Sequence, residues 1–115
     1  MLEAKYKGLI KCLECNYTYK SRVERNNINY RCNNRLKNGK DKCSNDTRVE
    51  ESFLDDMIKQ QLYCINREDI TDYKSIVDKI FVSHTRIEVF YKDLPIKSSY
   101  FDAKLGKLHF DSKIV

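Results

Sequence analysis

The placement of four cysteines constrains this chain's fold more than any other feature: Cys12-Leu13-Glu14-Cys15, then Cys32, then Cys43. A two-residue gap lets one tight turn aim two sulfurs at a single ion, and two more sulfurs from elsewhere complete a tetrahedron. The second pair is irregular here, because a long polar loop, Asn33 to Lys42, separates Cys32 from Cys43. Two arrangements compete for such a set: a metal centre, or buried and disulfide-bonded cysteines. Five cysteines are an odd number, and Lys5, Lys7 and Lys11 punctuate the apolar stretch before them where a secretory leader would be apolar. Both observations favour the metal. The reading is therefore one structural Zn2+ on Cys12, Cys15, Cys32 and Cys43. Cys64 follows Tyr63 near the end of a predicted helix and reads as a small half-buried side chain. His84 and His109 lack any spacing that recommends them as ligands and read as ordinary strand residues.

A chain of 115 residues forms one domain, or two small subdomains sharing a core, and it contains no run long and apolar enough to span a membrane. It is expected to be soluble and cytoplasmic. A ribbon of about forty residues buries too little apolar surface to offset its conformational entropy, which gives a metal a structural purpose. The charge is unevenly spread. Residues 1–48 carry twelve Lys and Arg against five Asp and Glu, a net +7, whereas residues 49–115 carry ten against twelve, a net −2. Four thiolates around a divalent ion subtract two charges and still leave the first part positive. Such a local excess is the footprint of a phosphate-binding surface; the competing reading is a solvated basic face with no partner.

Ala4 to Lys11 reads as a strand entering the first cysteine turn. Tyr17-Thr18-Tyr19-Lys20 leaves that turn as the first arm of a hairpin whose second arm is Ile28 to Cys32. The connection Glu24-Arg25-Asn26-Asn27 carries asparagines that tolerate positive φ. With a period of two, Lys20 and Arg22 share one polar face with Thr18, and Tyr17 and Tyr19 point to the other. Thr47-Arg48-Val49-Glu50 fits a capping box. The helix after it places Val49, Phe53, Leu54, Met57, Ile58 and Leu62 on one stripe, with Glu51, Asp55, Asp56, Lys59 and Gln60 towards water. A break at Ile65 to Asp69 is followed by Ile70, Tyr73, Val77 and Ile80, whose intervals predict a second helix. Phe81-Val82 and Arg86 to Tyr91 predict a hairpin with Ile87, Val89 and Tyr91 on one face. Tyr100-Phe101 and Lys107 to Phe110, around Gly106, predict a last one. The fold class is α+β: a small zinc β-ribbon packed on two helices and a C-terminal β-hairpin. Its divisions are 1–47 for the ribbon, 48–80 for the two helices with a short connection at 65–69, and 81–115 for the strands completing the same domain.

No Gly-rich phosphate loop, repeat, low-complexity tract or nucleophile-and-base arrangement occurs. Four cysteine ligands also leave no open metal position for an activated water. The expectation is a non-catalytic module with no small-molecule substrate and no membrane partner.

In this order the parts resemble the C-terminal zinc β-ribbon domain of large serine recombinases, the phage integrases and transposon resolvases of that group. The likeness runs from Gly8-Leu9-Ile10-Lys11-Cys12-Leu13-Glu14-Cys15 through Tyr30-Arg31-Cys32 and Asp41-Lys42-Cys43-Ser44-Asn45. It continues along Val49 to Leu62, then Ile76-Val77-Asp78-Lys79-Ile80-Phe81-Val82 and Ile87-Glu88-Val89, covering residues 6 to 92. The unequal second cysteine pair is normal in that family. Two departures stand out. The family's catalytic serine domain and its recombinase domain are not in this chain, and the long coiled coil carried between the two helices is replaced by residues 65–69.

The resemblance implies a protein of a bacterial host cell or its phage whose zinc ribbon binds the outer part of an attachment-site half-site in double-stranded DNA. Phosphate contacts position such a domain and base contacts specify its site. Lys20, Arg22 and Arg25 on the hairpin are the first candidates. Asn26 and Asn27 at its tip could read bases, and Arg35, Lys37 and Lys40 could hold backbone. Other recombinase subunits or a directionality factor are further implied partners. An alternative is a zinc-organised interaction module docking such a partner through an exposed patch of Tyr91, Leu94, Ile96, Tyr100 and Phe101. A third is an RNA-binding ribbon stacking bases on Tyr17, Tyr19 and Tyr30.

Overall fold

The computed structural model describes residues 4–39, 41–45, 47–102 and 106–109. Two sheets share one apolar core. The first is three-stranded and antiparallel, with β2 (Tyr19–Glu24), β3 (Asn27–Cys32) and β4 (Val49–Glu50) in that order. The second is five-stranded, in the order β1 (Ile10–Cys12), β5 (Val77–Val82), β6 (Arg86–Tyr91), β7 (Ser98–Asp102) and β8 (Lys107–His109). Helix α2 (Glu51–Cys64) follows β4 in the chain, packs on β3 and β4, and buries Leu54, Met57, Ile58 and Leu62 in the core that the two sheets share. A short helix, α1 (Asn33–Asn38), follows β3 directly.

The expected ribbon hairpin is present, with Tyr19 opposite Cys32 and Glu24 opposite Asn27. Its turn is tighter than four residues. Arg25 and Asn26 alone bridge the strands, both at positive φ (47° and 67°), the geometry of a two-residue primed turn whose twist matches that of the strands. Asn27 is already in β3. The two C-terminal hairpins also form, and Ile87, Val89 and Tyr91 are all buried. Phe110 lies outside the described residues.

Three local expectations are corrected. First, residues 5–9 form turns, with Gly8 at φ 82°, and only Ile10–Cys12 is strand. Tyr6 is still fully buried, donating its hydroxyl to Asp55 while its amide bonds the Tyr30 hydroxyl. Glu51 and Asp55, expected to face water, accept from the Lys5 amide (2.7 Å) and the Lys5 ammonium (3.0 Å) and so dock this segment on α2. Burial and the Asp55 hydrogen bond hold the Tyr6 hydroxyl protonated far above the usual phenol range.

Second, the capping box does not form. Val49 and Glu50 pair with Tyr30 and Asn29 as β4, the helix begins at Glu51, and its cap residue Glu50 makes no side-chain cap bond. The Thr47 hydroxyl instead donates to the Ser83 carbonyl at 3.2 Å.

Third, the helix expected over Ile70 to Ile80 is a single 3₁₀ turn, Tyr73–Ile76, leading into β5. The misleading interval has a definite origin. β5 bulges between Val77 and Lys79, so Val77 opposite Tyr91 is followed by Lys79 opposite Phe90. An extra residue at a bulge shifts the strand's parity, and Val77 and Ile80, three apart, both end in the core. Among the described residues the other α-helix is instead α1, within the loop that joins Cys32 to Cys43. The short connection after α2 is well formed. Asn66, at φ 58°, and Arg67 send their amides to the Tyr63 and Leu62 carbonyls, closing the helix with a Schellman motif.

Candidate metal centre

Each sulfur is delivered by a different local device. Cys12 ends β1, where its neighbours Ile10 and Lys11 pair in parallel with Ile80 and Phe81 of the large sheet. The chain then turns at once. Asn16 takes φ 67°, its amide bonds the Cys12 carbonyl at 2.8 Å, and the Cys12 amide bonds the Tyr17 carbonyl at 2.9 Å. Asparagine tolerates this left-handed conformation better than most residues, and the turn brings Cys15 back towards Cys12. Cys32 ends β3. Cys43 follows α1 on a segment held by Arg35, whose guanidinium donates to the Cys43 carbonyl at 3.2 Å, and by Asn34, whose amide donates to the Lys42 carbonyl at 3.3 Å.

The four sulfurs converge, all lying within 4.8 Å of one another. Their closest separations are Cys15 to Cys32 at 3.4 Å, Cys12 to Cys43 at 3.6 Å and Cys32 to Cys43 at 3.7 Å. A zinc–sulfur bond of about 2.3 Å gives a tetrahedral edge of about 3.8 Å, so the set fits one tetrahedral ion with a small outward relaxation. The thiols' electrostatics agree. Burial opposes ionisation of Cys15, but the Tyr17 amide, the Cys32 and Cys43 thiols and Asn34 outweigh it and bring its pKa to about 7. Burial pushes Cys43 up to about 12 and raises Cys32, with neighbouring thiols contributing in both cases. Crowded, buried sulfurs resist shared ionisation unless a cation lies among them. Cys64 is half-buried on α2 and outside the cluster. His84, in the turn between β5 and β6, shares a 3.1 Å hydrogen bond with Ser44.

Sequence reasoning missed Asn45. It is fully buried, and its amide nitrogen lies 3.1 Å from the Cys12 sulfur, 3.0 Å from the Tyr19 hydroxyl and 3.2 Å from the Val82 carbonyl. Its oxygen accepts from the Thr47 amide at 3.2 Å. One side chain thus joins the sulfur centre, the hairpin and the large sheet, the supporting role that partners of ligand atoms commonly play. Only its place two residues after Cys43 could have signalled this.

The basic candidates divide into groups. Lys20 and Arg22, on the outward face of β2, line a groove of about 430 Å3 with Ser21, Asn33, Leu36 and Lys37, and no carboxylate is in that lining. Arg25 and Asn26 at the turn and Asn27 beside it are exposed. Arg25 and Asn27 line a separate hollow of mixed charge with Glu24, Asn29, Arg48 and Glu50. Arg35 is partly buried by its bond to the metal loop, and Lys40 lies outside the described residues. The tyrosines fare differently: Tyr19 and Tyr30 are buried and only Tyr17 is exposed, which removes two of three stacking platforms. The proposed docking patch is likewise part of the core's cover. Tyr91 and Ile96 are buried, and Leu94, Tyr100 and Phe101 are half-buried. No helix among the described residues is long and apolar enough to cross a membrane.

A four-cysteine cluster at the meeting of a β-hairpin and two cysteine loops defines a zinc-ribbon-like module. Residues 6–63, half of the chain, match the recombinase zinc beta ribbon domain, and the chain belongs to that family. No curated protein matches. A solved structure concerned with the sequence requirements of the Listeria innocua prophage attP site shares the fold with a TM-score of 0.50 and 17% identity, over 77% of this chain and 43% of that one. This chain therefore spans less than half of that protein's chain.

Proposed function

We propose that this chain is the DNA-binding zinc-ribbon module of a large serine recombinase and recognises the outer part of an attachment-site half-site. The carboxylate-free groove of Lys20, Arg22 and Lys37, in a chain that also gathers four cysteine sulfurs, carries the reading. Phosphates are held by such clustered cations, and side chains at a hairpin tip can enter a major groove. Arg25, Asn26 and Asn27 occupy that tip, with Arg35 and Lys40 available to backbone. Zinc is the metal, since four cysteine sulfurs in a closed tetrahedron are its usual structural set. It holds Cys12, Cys15, Cys32 and Cys43 together and leaves no ligand position for a reacting water. The module itself is non-catalytic and works in the cytoplasm, where other recombinase subunits or a directionality factor can meet it. Fluorescence anisotropy with a labelled duplex of the attachment site tests this. Tighter binding than to a scrambled duplex is expected, falling steeply as salt is raised. Equal affinity for the scrambled duplex, or no binding at low salt, overturns it.

A further inference from the structure

Beside the thiolate centre lies a second cavity, of about 280 Å3, lined by Arg31, Cys32, Arg35, Leu36 and Asn45. Two of these residues are arginines and none is a carboxylate. The Arg31 Nε is buried and has no hydrogen-bond partner, a state that native proteins rarely leave uncompensated. Arg31 also stands directly opposite Lys20 across the β2–β3 ladder. Like charges facing each other across strands destabilise a sheet. Among the described residues, neither Arg31, Arg35 nor Lys20 has an ion-pair partner. The orphaned donor belongs to this hollow, and the positive pair that Arg31 makes with Lys20 has no counter-charge among the described residues; an anion seated on Arg31 would answer both.

We propose that Arg31 and Arg35 form a phosphate-binding pocket that seats one phosphodiester of the DNA backbone against the metal centre. The guanidinium fork of Arg31 presents its Nε and a terminal nitrogen to two oxygens of one phosphate, a geometry that an ammonium cannot supply. The groove of Lys20, Arg22 and Lys37 shares Leu36 with this pocket, so the two line one cationic track from the hairpin to the base of the ribbon. Arg31 immediately precedes Cys32, and Arg35 grips the Cys43 carbonyl. The phosphate seat is thereby fixed by the cysteine loops, whereas the exposed hairpin tip is left to read bases. The phosphate's source, a duplex, rests on the DNA-binding reading above.

The zinc-loaded full chain separates the two ideas. Titration with inorganic phosphate, followed by the side-chain Nε–H resonances of the arginines, is expected to move the Arg31 signal saturably and far more than that of exposed Arg67. With duplex DNA, Arg31→Gln is expected to lower the slope of log affinity against log salt by about 1, the value of one lost phosphate contact. Arg31→Lys retains the charge but not the fork; it is expected to weaken duplex binding with one equivalent of zinc still bound, and it carries the test if Arg31→Gln loses metal. An Arg31 signal that follows Arg67, or a duplex affinity and salt slope unchanged in both Arg31 variants, overturns the pocket. If Arg22→Gln lowers the slope in that case, DNA binding survives without the pocket. A saturable phosphate shift with no duplex binding supports the pocket and removes its DNA source.

Discussion

The ribbon and the five-stranded sheet are held together by different physics. From β1 to β4, three of the eight buried hydrophobic side chains are cysteines whose sulfurs face one another. From α2 onward, Leu54, Met57, Ile58, Leu62, Val77, Ile80, Val82 and Val89 interlock as an ordinary apolar core. The first region concentrates its cohesion at one point, and the second spreads it over many contacts. Concentration has a functional use. A hairpin gathered at its base by sulfur and packed on the core through Tyr19, Ile28 and Tyr30 can keep its outer face and tip for cations and amides.

Removing the metal is the strongest way to break this comparison. Structural zinc in small modules is worth on the order of 10 kcal/mol at neutral pH, comparable to the whole net stability of a domain this size. Chelation is expected to abolish the dispersed amide NMR signals of residues 12–45. Cys43→Ser should be as damaging as Cys12→Ser, and Cys64→Ser should leave one equivalent of zinc by metal analysis. Full retention of the hairpin signals after verified metal loss would contradict the idea that sulfur holds the ribbon. In the other region, Leu54→Ala empties a fully buried site and is expected to cost about 2–5 kcal/mol in urea unfolding. Metal stoichiometry below the transition should be unaffected; a parallel loss of zinc would show that the two regions do not differ as described.

The legibility of the sequence follows the same division. Local devices were readable: the Cys12–Cys15 turn, the hairpin around Arg25 and Asn26, the α2 stripe and the two C-terminal hairpins each lie within a short stretch. The parallel pairing of β1 with β5 was not, because Ile10 meets Ile80 across the whole ribbon and α2. The bulge after Val77 imitated a helical interval, and no periodicity marks that accident. Helix α1 was hidden for another reason. Asn33-Asn34-Arg35-Leu36-Lys37-Asn38 has one aliphatic residue and no apolar stripe, so only its position after Cys32 and the return to Cys43 impose its shape. At the centre itself the four cysteines were legible as a candidate metal set despite their irregular second pair, and their sulfurs converge, whereas Asn45 and Arg31 acquire meaning only through neighbours distant in sequence.

Asn45 lies on the boundary between the regions and gives a smaller effect. Asn45→Ala deletes the donors to Cys12, Tyr19 and Val82 and leaves buried acceptors behind, at a cost of about 1–3 kcal/mol. Loss of a ligand's supporting partner typically weakens metal affinity about 10–100-fold. Competition with a chromophoric chelator should show that weakening, and the cobalt-substituted protein should show an altered sulfur-to-metal charge-transfer band. An Asn45→Ala protein that is less stable but has unchanged affinity and spectrum would make Asn45 a core residue with no bearing on the sulfurs.

The smallest effect belongs to Arg25, and it has the opposite sign. A two-residue primed turn wants asparagine or glycine at its first position, yet an arginine stands there at φ 47°. Left-handed backbone costs a non-glycine residue about 1–2 kcal/mol, and no described contact of Arg25 offsets it. Strain kept at an exposed tip points towards function, not towards stability. Arg25→Gly is therefore expected to raise unfolding stability by about 0.5–1 kcal/mol, after the entropy that glycine adds to the unfolded chain. The same variant should bind the attachment-site duplex more weakly. A variant that is more stable and binds equally well would leave the arginine without a purpose at that position, and would move the site of base reading to Asn26 and Asn27.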